Sequence, residues 1–297
     1  MVNIRYHIVS LVAVFLALAL GVVLGAGPLQ SRIAGSAEEG AQSQIEQLTE
    51  ETSAYQTDIE QLNQFIDGVG AEVLPETLSD RAIGIIMLPG ASAQSAQEIT
   101  EQLQLAGADV VGTVSLAQAA VSLGQRDYRE SLAGPVSSHL SSGGSGSADQ
   151  TIAEAIVEVL TTEGAERNLL TEILTDSNTP LIEGETLPNK PADTLVILGP
   201  AEETNAGEDD LSLPIPGALV ALANAAGTVK NGAVAVGNGE NETNFIAVLR
   251  QEGASIATVD QVGTSMAAVN TALALSTGKG AYGVEEGATS PVGPIQK

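Results

Sequence analysis

The sequence predicts an α/β protein in three parts: a single N-terminal transmembrane helix, a coiled-coil stalk, and a layered α/β domain with a mainly parallel sheet. Three observations carry this. The run from Tyr6 to Ser31 is uncharged, a heptad repeat starts near Ile45, and beyond the stalk short continuous Ile and Val runs alternate with helical patterns.

The apolar core of the first run extends from Ile8 to Ala26. A helix needs roughly 20 such residues, at about 1.5 Å rise each, to cross a hydrocarbon layer. The expected boundaries are a cytoplasmic terminus over 1–7 and a membrane helix over 8–27. Later apolar runs near Leu195, Val234 and Leu273 are interrupted by Gly, Asn or charged residues, so one crossing is expected. A cleaved signal peptide would be cut among Gly25, Ala26 and Gly27. The run exceeds the roughly 7 to 15 residues of a signal core, and Pro28 crowds the cut, so an uncleaved anchor is the expectation. Arg5 and the amino terminus precede the helix, and beyond Arg32 no Lys or Arg occurs before Arg81. The chain is therefore expected to pass once through the cell membrane, N-terminus cytoplasmic and C-terminal domain extracytoplasmic.

Beyond Arg32 lie nine basic residues against all 37 acidic ones, a net of −28. Such a surface disfavours nucleic acid and anionic headgroups and leaves cations and basic proteins as partners. Cysteine is absent, which excludes disulfides, zinc ribbons and thiol chemistry. The external part has to stand on its packed core, and roughly 200 residues suffice for one domain.

Anchor and stalk carry the pattern of a pair. Ala13, Ala17, Gly21 and Gly25 recur every fourth residue on one helix face, where small side chains let two helices approach; apolar filler rich in Ala and Gly would look the same. Within a stalk assigned to 28–70, the a and d positions read Ile45, Leu48, Thr52, Tyr55, Ile59, Leu62, Ile66 and Val69. Ile at a with Leu at d favours two parallel strands, and Thr52 is a weak position suited to fixing register. A parallel homodimer is the expectation. The alternative is a single amphipathic helix packed on its own domain, because the e and g positions lack complementary charges. Glu46, Glu50, Glu51, Asp58 and Glu60 are spread around the helix as a solvated face.

Gly68, Gly70 and Pro75 are expected to end the stalk helix. The α/β domain is assigned to 81–282, with strands near 82–88, 109–114, 194–198, 233–237 and 255–259. Helices are expected over 93–106, 148–160, 217–226, 242–252 and 264–275. Continuous rather than alternating apolar strands suit a sheet buried on both faces. Ser137 to Ser147 and Glu202 to Asp210 read as plastic loops, and 283–297 as a mobile tail.

Chemistry is sparse. Gly263-Thr264-Ser265-Met266-Ala267 matches the segment around the nucleophile of subtilisin-like proteases. The upstream histidines are His7, beside the membrane, and His139, in a Ser-rich loop, and the usual Pro after Met-Ala is replaced by Ala268, so the match reads as coincidence. Gly237-Asn238-Gly239 sits between a strand and a helix, but Glu242 stands where a dinucleotide fingerprint needs its third Gly, so a plain turn is the reading. The loop at Gly143 to Gly146 lacks the Gly-Lys-Ser/Thr of a P-loop. No catalytic residue and no cofactor is assigned, and the protein is expected not to be an enzyme. Pro89, Gly90, Gly199, Asn238 and Asp260, at the carboxyl ends of strands, are candidates for a binding crevice, with helix caps and turns as the competing reading.

The string from Asn3 to Gly21, NIRYHIVSLVAVFLALALG, closely resembles the opening of the actinobacterial copper transporter family, also called the MctB family. The order of anchor, coiled coil and α/β domain agrees, as do Thr258-Val259-Asp260 and Gly280-Ala281-Tyr282-Gly283, so the resemblance spans nearly the whole chain. It implies a role in copper efflux or homeostasis. It also admits a role in cell separation during cell division, in which the external stalk controls cell-wall hydrolysis together with a cytoplasmic partner. Copper enters only through this resemblance: Cu(I) prefers thiolate and thioether ligands and Cu(II) imidazole, and the chain offers only Met1, Met87, Met266, His7 and His139. Metal ligands stay unassigned.

The pairing pattern generates a first prediction. Gly21→Leu together with Thr52→Pro is expected to abolish dimerisation while leaving the α/β domain folded; chemical crosslinking that still captures the full dimer contradicts it.

Overall fold

The computed structural model describes residues 4–25, 28–144, 146–183, 187–202 and 210–295. They form two units, Met1–Leu62 and Asn63–Lys297.

The first unit holds helix α1 (Ile4–Gly25) and most of helix α2 (Pro28–Val73). The large apolar side chains described in α1, among them Val9, Leu11, Phe15, Leu18 and Val22, are each more than half exposed. Among the described residues no helix is long and apolar enough to cross a membrane. Residues 26 and 27 of the expected span lie outside the described residues, as does the environment of Gly25; a Cβ added to Gly21 would meet nothing beyond its own helix backbone within 4 Å. Along α2, Ile45, Leu48, Tyr55, Ile59 and Leu62 are 57% to 66% exposed, and Thr52 bonds back to the carbonyl of Leu48 at 2.7 Å. In one protomer the seam is thus a solvent-facing apolar stripe, and a coiled coil is not shown.

The second unit begins inside α2. The helix passes through Gly68 and Gly70, where a break was expected, and ends at Val73. Packing explains the difference at Gly70: a Cβ there would meet Val269 at 3.0 Å and the Gln102 amide at 3.4 Å. The helix cost of glycine, about 1 kcal/mol, is offset by the close approach that lets Ile66, Val73 and Leu74 join the core.

Among the described residues the sheet has seven strands, β1 (Ala82–Met87), β2 (Asp109–Leu116), β3 (Ile182–Glu183), β4 (Thr194–Leu198), β5 (Ala233–Val236), β6 (Ala257–Val259) and β7 (Ala281–Tyr282), in the order β3-β2-β1-β4-β5-β6-β7. All neighbours are parallel except β2 and β3. The five expected strands are present, and every residue of β4 is buried. Alternate residues serve opposite faces. Leu195 and Ile197 join a core built with helices α4 (Arg126–Ser137), α5 (Ala148–Thr161), α6 (Ala165–Leu174), α7 (Pro216–Gly227) and α8 (Phe245–Gln251). Val196 and Leu198 join a second core with α3 (Ala93–Leu105), α9 (Ser265–Leu275) and the end of α2. The domain is therefore a three-layer α/β/α sandwich.

Four elements were not expected. α4 carries Pro135 in its interior, α6 follows a Gly164 with φ +117°, and β3 and β7 have two residues each. The Ser-rich loop falls where expected, between the end of α4 at Ser137 and the start of α5 at Ala148, and Ser141 and Ser142 in it are hydrogen-bonded to Glu158 and Glu154. α8 starts at Phe245 instead of Glu242. Of the acidic loop, 203–209 lie outside the described residues. Within the tail expected to be mobile, Gly283 N–H donates to the Ser290 carbonyl, and Asn270 both donates to the Pro291 carbonyl and accepts from Gly293 N–H.

Two glycines make opposite predictions. A Cβ on Gly112 would lie 2.7 Å from the backbone nitrogen of Pro188, whereas one on Gly68 meets nothing within 4 Å. Gly112→Ala should destabilise the domain by about 2 kcal/mol, and Gly68→Ala should stabilise its helix by roughly 0.5–1 kcal/mol. Denaturant unfolding of the two variants checks both signs.

Candidate functional site

In a parallel sheet the strand order reverses at one place, and ligands favour the crevice beyond the strand ends there. Here it lies between β1 and β4. Pro89 and Gly90 leave β1, Gly199 leaves β4, Asn238 follows β5 and Asp260 follows β6, so the sequence-predicted residues do lie at the strands' carboxyl ends. What the structure puts there is mostly the chain itself.

Gly199 is covered by an aromatic ring: a Cβ on it would fall 2.6 Å from Cδ1 of Phe245, and one on Gly237 would fall 3.0 Å from the same atom. Asn238 is spent on its own turn. Its Nδ2 donates to the Ala201 carbonyl, and its Oδ1 accepts from Glu240 N–H and Asn244 Nδ2, all at 2.8 Å. The helix-cap and turn reading therefore holds for Asn238.

Asp260 is fully buried and paired with Arg250, Nη2 to Oδ2 at 2.9 Å. Its carboxylate also accepts from Val284 N–H at 2.9 Å and Glu285 N–H at 3.2 Å. Arg250 further donates to Thr258 Oγ1, the Glu286 carbonyl and the Tyr282 carbonyl. This network pins the segment after β7 over the end of β6. Gly283 has φ +127°, and a Cβ there would collide with the Asp260 carboxylate, so the closeness requires glycine. Glu285 completes the link to Asn238's turn by accepting from Gly239 N–H. Burial pushes the Glu285 carboxyl above its ordinary range, the nearby Asp260 charge adds to this, and the Gly239 N–H and Arg250 oppose it.

Sequence reasoning missed Arg250, Phe245 and Glu285, whose partners lie up to 46 positions away. It also missed Arg129, fully buried, whose Nε meets Asp149 at 2.7 Å and whose Nη1 donates to the carbonyls of Ala119 and Ser122. A cavity of about 620 Å³ lies between α5 and α7 and includes none of the crevice candidates.

Among the described residues no group of three or more His, Cys, Asp or Glu could hold a metal ion. Met87 is in β1, partly buried against the second core, Met266 is in α9, and His139 Nδ1 is 2.8 Å from Glu166. In the protease-like string, Thr264 caps α9 by accepting from Ala267 N–H.

The sequence model of the family described as "Copper transport outer membrane protein, MctB" matches residues 1–292. The chain belongs to the MctB family. Proteins named "Copper transporter MctB" from Mycobacterium tuberculosis (strain ATCC 25618 / H37Rv) and Mycobacterium bovis (strain ATCC BAA-935 / AF2122/97) are each 28% identical to it over 313 residues, covering 98% of both chains. The MctB resemblance read from the first residues thus extends through the α/β domain.

Two predictions follow from the buried network. Asp260→Ala leaves the Arg250 charge buried without its partner and should cost about 3–5 kcal/mol, read by denaturant unfolding, with faster amide exchange over 283–293. Because the Glu285 carboxyl sits above its ordinary range when folded, its contribution is fully present below that range and is lost as pH rises through the raised value. Glu285→Gln should flatten this part of the stability-against-pH curve; an unchanged slope contradicts it.

Proposed function

We propose that this protein is a membrane-anchored, dimeric envelope protein that serves copper efflux or homeostasis without catalysing a reaction. The family match over residues 1–292 carries the reading, and the relatives' name, copper transporter, supplies the cargo. The anchor is supported by an uncharged stretch continuing from Tyr6 to Ser31 and by a helix whose large apolar side chains are exposed. Such a helix suits a hydrocarbon solvent better than water. The dimer is supported by the exposed stripe from Ile45 to Leu62 on α2, which needs an apolar partner.

Copper on this reading is cargo handled by an assembly, not an ion held in the fold of one chain. The sequence has no cysteine, three methionines and two histidines, a sparse supply of the ligands copper prefers, and among the described residues no group of three or more His, Cys, Asp or Glu could hold a metal ion. One helix does not enclose an aqueous pore either; several copies or partners have to supply it. The same free stripe favours a second reading: a scaffold in cell separation that regulates cell-wall hydrolysis with a cytoplasmic partner.

Intracellular copper in a strain lacking the gene, under copper load and with cell morphology recorded, tests the proposal. Copper should rise about twofold or more and return to normal on complementation. Normal copper with chained, unseparated cells overturns the copper reading in favour of the scaffold.

A further inference from the structure

The groove between α5 and α7 belongs neither to the crevice at the strand ends nor to the stalk. It holds about 620 Å³, within the size range of ligand sites. Its floor is small and aliphatic, formed by Val157 of α5 and Val220, Ala221 and Ala225 of α7. Its rim carries Glu154 and Glu158, one helical turn apart on the same face of α5, and no Lys, Arg or His lines it.

The two carboxylates are held in place. Ser142 Oγ donates to Glu154 at 2.9 Å and Gln150 Nε2 to the same carboxylate at 3.1 Å; Ser141 donates to Glu158 through both its hydroxyl and its backbone N–H. These are neutral donors. Neither glutamate takes part in any ion pair among the described residues. Like charges at this spacing repel, so the groove presents oriented negative charge with no counter-charge, above an apolar floor. A side chain that matches both has an aliphatic stem and a cationic head, which describes lysine and arginine. The rim hydroxyls and amides, Thr161 and Asn224 among them, are suited to hydrogen-bond a peptide backbone.

We propose that the α5–α7 groove docks a lysine- or arginine-bearing peptide segment of another envelope protein. A second copy of this chain is a poor occupant, because it carries 11 basic residues against 37 acidic ones.

Fluorescence anisotropy on the full chain in detergent tests this, with labelled Lys-Ala-Leu-Lys-Ala-Leu as probe and the same peptide bearing Glu in place of both lysines as its control. The lysine peptide should bind saturably at one site per chain, and the Glu peptide should not. Glu154→Gln with Glu158→Gln should weaken binding about tenfold, since glutamine still accepts the serine hydrogen bonds but carries no charge. Ala221→Phe should weaken it comparably by filling the floor without changing charge. Glu98→Gln with Glu101→Gln removes the same two charges from α3 and should leave affinity within twofold. Circular dichroism and melting of each variant confirm that it is folded. Equal weakening by the α3 variant means that only the general acidity attracts the peptide, and it overturns the proposal. So does unchanged affinity in folded groove variants, or the absence of saturable binding.

Discussion

A parallel sheet buried on both faces sets the terms for everything else in the folded domain. β4 shows it most plainly: all five residues are buried, with Leu195 and Ile197 serving one core and Val196 and Leu198 the other. Without cysteine and with aromatic residues at only 2%, the cohesion has to come from aliphatic packing on both sides. That forces helices onto each face and leaves the strands' carboxyl ends as the natural opening. In this chain the Phe245 ring lies over Gly199 at that opening, and the segment after β7 lies over Asp260.

The segment after β7 is held by one buried charge pair. Arg250 reaches from the last turn of α8 to Asp260 after β6, and the same two side chains hold the backbone from Tyr282 to Glu286. Burying two charges is costly unless their remaining valences are filled, and here backbone groups of the tail fill them. The binding proposed for this protein lies elsewhere, at the α5–α7 groove and the exposed stripe of α2.

Much of this was legible from local pattern. The strands at Ala82, Asp109, Thr194, Ala233 and Ala257 announce themselves because doubly buried strands must be continuous Ile, Val and Ala runs, and α3, α5, α7 and α9 follow from apolar periodicity. What was misread depends on distant contacts. Gly70 looks like a helix breaker until Val269 packs against it, and nothing local announces that Asp260 and Asn270 hydrogen-bond the segment after β7. β3 and β7, two residues each, are too short to carry a period. Among the crevice candidates, Asn238 and Asp260 were found at strand ends by position alone, but nothing local reveals that one is consumed by its turn and the other by Arg250.

The stalk is where the physical account and the proposed function meet, since an apolar stripe on a long helix asks for a partner, and the proposed dimer would supply one. The absence of cysteine makes the direct test clean, because any introduced thiol is unique. Disulfide trapping of Tyr55→Cys and Leu62→Cys, at d positions, against Thr57→Cys on the outer face, compares seam with surface in membranes. A parallel, in-register pair brings the two d thiols together, so both seam variants should yield covalent dimer and Thr57→Cys little. No dimer at the seam, or equal trapping at Thr57, contradicts the paired-stalk account.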